Sequence, residues 1–158
     1  MHSISSSGGP LIALPESLLP SWRGAADGGS HYRLACAVTD YAGVAHLAGQ
    51  ELLVLGDEPL QTAVSNWNDT IVIARWLYAP DEAAIVRCID QANWGEPVET
   101  LAWQPSESRY VLMDSAREGT NPGPSLELAM TVASYAVATC VVKPNPDVGA
   151  ILHTLRRQ

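Results

Sequence analysis

The sequence predicts a β-rich α+β fold, a mostly antiparallel sheet or sheets of about eight to nine strands with one main helix packed on a face. Three observations predict it. Short segments of alternating or β-branched residues follow one another, separated by turn residues. One segment alone, about 81–92, carries buried-type residues spaced at three and four. The opening run S-S-G-G-P-L-I-A-L-P-E-S-L-L-P-S-W-R-G (6–24) is rich in apolar residues yet cannot be a single helix. An all-β sandwich with one decorating helix is the nearest alternative.

The opening run is read first. Pro10, Pro15 and Pro20 recur every five residues. Each fixes its own φ and pushes the preceding residue out of the helical region. The run is therefore an ordered, extended lead-in over 1–24. It lays Leu11, Ile12, Leu14, Leu18, Leu19 and Trp22 against a core.

Next, 32–38 alternates Tyr32, Leu34, Cys36 and Val38 against Arg33, Ala35 and Ala37, which predicts a strand. Residues 39–43 read as a turn. A short strand over 44–48, a tight turn at Gly49-Gln50 and a third strand over 51–55 complete an antiparallel meander. Gly56-Asp57-Glu58-Pro59 opens a polar loop running to about Asp69. The segment 70–78 is a strand dense in β-branched and aromatic residues. Pro80 or Asp81 opens the helix, with Asp81 and Glu82 at its positive end. Ile85, Cys88, Ile89 and Ala92 form its buried stripe, and Gly95 is its C-terminal cap. Strands follow over 99–104, 109–114, 125–130, 135–142 and 149–155, the last two as a hairpin across the turn 143–147. The stretch R-E-G-T-N-P-G-P (117–124) reads as a mobile loop.

With 158 residues and 47% hydrophobic content the chain suits a single domain, 1–158. Charged residues make up 16%, below the roughly 25% of an average soluble domain. Part of the exterior should therefore be a covered face, which leaves room for a homodimer. The net charge of −8 argues against a nucleic-acid backbone or an anionic membrane and permits a basic partner. Eight arginines and Lys143 are the only basic residues besides histidine, and Phe is absent. Cys36, Cys88 and Cys140 sit far apart among apolar neighbours and read as buried small hydrophobes. No signal segment and no apolar run near 18 residues occur, so the cytoplasm is expected.

Candidate chemistry is sparse. His2, His31, His46 and His153 lack metal-ligand spacing to one another or to a cysteine. His46 and His153 lie between apolar residues and read as core or half-buried. No G-x-S-x-G elbow, no phosphate loop and no cysteine in an electropositive setting is present. No cofactor, no metal and no catalytic residue is expected. Asp57 and Glu58 sit in a loop right after a strand, as catalytic acids often do, but one sequence shows no second acid at a set separation, so they read as turn acids facing water, with a binding contact next. Trp67-Asn68-Asp69 and Asn93-Trp94-Gly95 place two tryptophans in polar loops, and tryptophan is enriched among residues that carry interface energy. Trp22, Trp76 and Trp103 read as core.

Several strings together carry a family resemblance. They are G-G-P-L-I-A-L-P-E-S-L-L-P-S-W-R-G (8–24), Y-R-L-A-C-A-V (32–38), L-V-L-G-D-E-P-L-Q-T (53–62) and I-A-R-W-L-Y-A (73–79), with Y-A-V-A-T-C-V-V-K-P-N-P-D and I-L-H-T-L-R near the end. The chain resembles the immunity protein 21 family, predicted immunity proteins encoded beside toxins in bacterial contact-dependent or polymorphic toxin systems. The resemblance spans nearly the whole chain. It implies a cytosolic, non-enzymatic protein that binds a cognate toxin domain and blocks it. On that reading Asp57, Glu58, Trp67 and Asp69 of the 56–69 loop, with Trp94, are the expected partner-binding residues. Carboxylates there would mimic phosphates, and Trp67 would be the buried anchor. Besides a purely structural or oligomer-forming role, two further readings compete. One is a small-molecule or carbohydrate-binding β domain using Trp67 or Trp94 as stacking platforms. The other is a hydrolase pairing His46 with Asp57 or Glu58, which needs hydrogen-bond reach between them.

Overall fold

In the computed structural model the described residues are 1–56, 59–91 and 93–158. The chain begins with a two-residue strand, β1 (Ser3–Ile4). Pro10 and Pro15 then bound a fully buried strand, β2 (Leu11–Pro15), and a 3₁₀ segment (Glu16–Ser21) carries Pro20. The lead-in thus does more than line a core: β2 is the central strand of one sheet.

A second 3₁₀ turn (Asp27–Gly29) leads into a helix, α1 (Ser30–Cys36), where alternation predicted a strand. Gly28 and Gly29 adopt φ of 82° and 74°, turning the chain into a helical start. The inward positions are then Tyr32, Ala35 and Val38, a spacing of three, while Leu34 and Cys36 face outward. Seven residues of alternation fit either period, and the two glycines decide. The expected meander is therefore a hairpin, β3 (Ala42–Leu47) and β4 (Gln50–Leu55), whose third partner is β2. Its turn is Ala48-Gly49.

The predicted polar loop 56–69 also contains a strand, β5 (Thr62–Trp67), paired along its length with β6 (Thr70–Tyr78). Asn68 and Asp69 carry φ of 44° and 62°, the two left-handed residues of a tight hairpin turn. Ser65 and Asn66 hid the alternation: on its far side β5 is covered only by β1, so polar residues are tolerated there.

The predicted helix appears as α2 (Glu82–Asp90), with Ala84, Ile85, Cys88 and Ile89 buried. Asp81 caps it, its carboxylate accepting from the Ala84 amide at 2.8 Å. Asp81→Ala is expected to cost about 1 kcal/mol in urea unfolding, and Asp81→Asn far less. The C-cap is Gln91, not Gly95, and Ala92 lies outside the described residues. The remaining strands are β7 (Glu99–Trp103), β8 (Arg109–Asp114), β9 (Leu126–Ala129), β10 (Tyr135–Asn145) and β11 (Val148–Arg157). The last two form the expected hairpin, longer than predicted. In 117–124 the Gly119 amide donates to the Trp22 carbonyl at 2.9 Å.

All strands pair antiparallel, in a six-stranded sheet ordered β1-β5-β6-β11-β10-β7 and a five-stranded sheet ordered β3-β4-β2-β8-β9. That is eleven strands among the described residues, against eight or nine expected. Leu11, Ala13, Leu53 and Leu112 of one sheet meet Ile71, Ile73, Val137 and Leu155 of the other in a shared core. The outer faces are covered too. α2 and Trp94 pack on Val72, Ala74 and Leu152, while Trp22, Leu18 and Ala35 pack on Ile12, Leu52 and Val54. Strands buried on both faces need no alternation, which is why the apolar runs 11–14 in β2, 52–55 in β4, 71–74 in β6 and 150–152 in β11 are continuous. Two covered sheets also account for the low charge content.

Candidate functional site

Each expected partner-binding residue can now be placed, except Asp57 and Glu58, which lie outside the described residues. Trp94 is 7% exposed. Its indole N–H donates to the Cys88 and Ile89 carbonyls at 3.1 and 3.2 Å, satisfying carbonyls at the end of α2. Trp67, at the tip of β5, is half-buried and meets Trp94 edge-on with ring centroids 5.3 Å apart. The structure therefore brings these two together as a T-shaped pair over α2, a favourable aromatic geometry. Asp69 sits one turn residue further on, exposed, and borders an open cleft.

That cleft, about 660 Å³, lies at one end of the six-stranded sheet. The β5–β6 turn supplies Asn68 and Asp69, the β9–β10 connection supplies Thr131, and the start of β10 supplies Tyr135. Arg156 and Arg157, at the tip of β11, complete it. Arg157 pairs with Tyr135 and Arg156 with Ala136 in the β10–β11 register, so strand order alone gathers these groups. The Tyr135 hydroxyl accepts from the Thr131 amide at 3.0 Å, which leaves its own proton to donate. Neither Trp67 nor Trp94 lines the cleft. The stacking platform of the carbohydrate reading is thus missing from it.

Sequence reasoning overlooked this cleft. Its only sequence signal was the Arg156-Arg157 pair, two adjacent cations in a chain of net charge −8. Two other arginines are committed to acids. Arg23 meets Asp27 at 2.7 Å and Glu118 at 3.5 Å, and Arg109 meets Glu127 at 3.3 Å and Glu16 at 3.6 Å. Both guanidiniums are held further toward their charged form by hydrogen bonds to Asp27 and Glu127 respectively. No described carboxylate lies within 4.0 Å of Arg156 or Arg157.

The histidines do not converge. His46, expected to be core or half-buried, is exposed: it shares the face of Ala42 and Val44 but lies next to the turn at the end of edge strand β3, 3.7 Å from Glu51 across the hairpin. Its distance to Asp57 or Glu58 lies outside the described residues. His31 stacks on Trp22 at 5.0 Å, and its Nδ1 accepts from the Arg23 amide. His153 is fully buried, as expected. Cys36 is exposed at the end of α1, contrary to expectation, since the helix turns it outward. Cys88 and Cys140 are buried as expected, and burial pushes both thiols up, away from the reactive thiolate. Trp22 and Trp103 are core, whereas Trp76 is half-buried at the rim of the α2 cluster. No group of three metal-ligating side chains occurs among the described residues. No helix among them is long and apolar enough to cross a membrane.

A family model described as Immunity protein 21 matches residues 2–148. No curated protein and no solved structure matches the chain. The match takes in ten of the eleven strands and stops at the first residue of β11. β11 is paired on both sides, with β10 and β6, so the folded unit runs past the matched residues.

Proposed function

Because the chain belongs to the immunity protein 21 family, we propose that it binds and inhibits a cognate bacterial toxin domain and catalyses no reaction of its own. The family match over residues 2–148 is the observation that carries this reading. Protein capture requires shape and charge rather than a reacting group. A net charge of −8 favours a basic partner, which such a field draws in and orients.

The surface we propose for that contact centres on the connection after β4 and the β5–β6 turn. Asp57, Glu58 and Asp69 would supply carboxylates, and the half-buried Trp67, in edge-on contact with Trp94, would supply apolar area. Carboxylates at such a contact act on association rate more than on packing.

Co-expression with the toxin domain encoded beside this chain tests the reading. Growth rescue and a one-to-one complex on co-purification are expected. Toxicity without rescue overturns it. Within the complex, Asp57→Ala, Glu58→Ala and Asp69→Ala combined should lower the association rate by about tenfold at low salt, with little change at high salt. An unchanged rate would move the contact surface elsewhere.

A further inference from the structure

We infer that the cleft at the tip of β11 is an anion-recognition site that receives a carboxylate-bearing segment of the partner protein, with Arg156 and Arg157 as its cationic walls. The inference deepens the toxin-binding reading and rests on it for the identity of the partner.

The chemistry of the lining carries it. Adjacent strand residues project to opposite faces, so the two guanidiniums flank the strand tip, and both border the cleft. Arg156 and Arg157 meet no acid among the described residues, as Arg33, Arg87, Arg117 and Lys143 also do not; what sets this pair apart is that both border one cleft. Two arginines side by side repel one another, and an acidic protein has carboxylates to spare for neutralising them. An unneutralised pair in a cleft is best met by an anion from outside. Guanidinium binds carboxylate in a planar, two-pronged geometry that lysine does not reproduce. The other groups suit the same guest. The Tyr135 hydroxyl has its proton free, and the Asn68 amide and Thr131 hydroxyl make no hydrogen bond to a described residue. Asp69 alone in the cleft accepts only, and it would take an amide N–H of a bound peptide. A cleft with two guanidiniums, several neutral groups that can donate and one carboxylate matches a peptide segment bearing an acidic side chain. An opening of about 660 Å³ has room for several residues. A basic notch within an acidic surface also fixes the register of docking, because a partner shifted from it faces like charge.

The two arginines lie beyond residue 148, where the family match ends.

Titration of a hexaglutamate peptide into the ¹⁵N-labelled protein tests the site without the toxin. Backbone amides of Asn68 and Thr131 are expected to shift, and Arg156→Gln with Arg157→Gln should abolish the shift while circular dichroism stays unchanged. A hexalysine peptide should leave those two amides in place. Absence of the shift, or its persistence in the double variant, overturns the site. In the toxin complex, Arg156→Glu with Arg157→Glu is expected to weaken binding by about 100-fold, and the double lysine variant by less. Wild-type affinity in the double glutamate variant would overturn the partner assignment and leave the immunity reading intact. A wild-type protein that binds hexaglutamate yet neither rescues growth nor captures the toxin would overturn the immunity reading instead.

Discussion

Trp22→Ala is expected to destabilise the protein by about 3–5 kcal/mol, read from urea unfolding at neutral pH. Trp22 is fully buried and joins four parts of the chain. Its ring fills the cluster over the outer face of the five-stranded sheet, against Ile12, Leu14 and Met113. Its face stacks on His31 of α1 at 5.0 Å. Its indole N–H donates to the Ser115 carbonyl just past β8 at 3.1 Å, and its carbonyl accepts from Gly119 in the following loop. Truncation opens a cavity and leaves a buried carbonyl short of a donor, and both costs add. Trp22→Phe separates them. It retains most of the volume and loses the hydrogen bond, so about 1–2 kcal/mol is expected. Gly119 allows no adjustment at this contact, because a side-chain carbon there would stand 1.9 Å from the Leu19 carbonyl oxygen. A loss below about 1 kcal/mol for Trp22→Ala would mean that the lead-in and the 117–124 loop do not stabilise the sheet they cover.

Much of the fold was legible because its strands differ sharply from their turns. The 70–78 and 109–114 segments coincide with β6 and β8, and Asp81 caps the helix as its position suggested. The misreadings share one physical cause, that burial of a segment is decided by what covers it. Residues 32–38 alternate, yet two left-handed glycines commit them to a helix. Residues 62–67 look polar because β5 has only β1 beyond it. Trp94 resembled a loop tryptophan, but its indole N–H was needed to satisfy the last turn of α2. The cleft was the least legible feature. Asn68, Thr131, Tyr135 and Arg157 are distant in sequence and meet only because β6, β10 and β11 are neighbours in one sheet.

Acid should unfold this protein through His153, and its stability is expected to fall as pH drops from about 6.5 toward 3. The imidazole is fully buried between the sheets. Its Nδ1 hydrogen-bonds the Thr139 hydroxyl of β10 at 2.9 Å, and its Nε2 has no partner among the described residues. Arg75 of β6, itself buried and donating to the Gly56 carbonyl at 2.9 Å, places a second positive charge nearby. Burial first, and Arg75 second, push the imidazole down to about 3. The unfolded chain titrates near 6.5, so between those values it binds the proton that the folded protein refuses. Stability therefore rises with pH across that window and is complete above it, a span of about 5 kcal/mol at most. Carboxylates titrate in the lower half of the window, so the upper half isolates the histidine. From pH 6.5 to 5 the wild type should lose about 1.5 kcal/mol more than His153→Gln, whose amide still reaches Thr139 and takes no proton. Parallel curves for the two proteins would show that His153 accepts its proton in the folded state. The effect bears on the proposed contact surface. Arg75 secures Gly56, and the next two residues are Asp57 and Glu58. Because the folded protein refuses the proton until about pH 3, that anchor holds through the upper half of the window, and the surface is lost there only together with the fold.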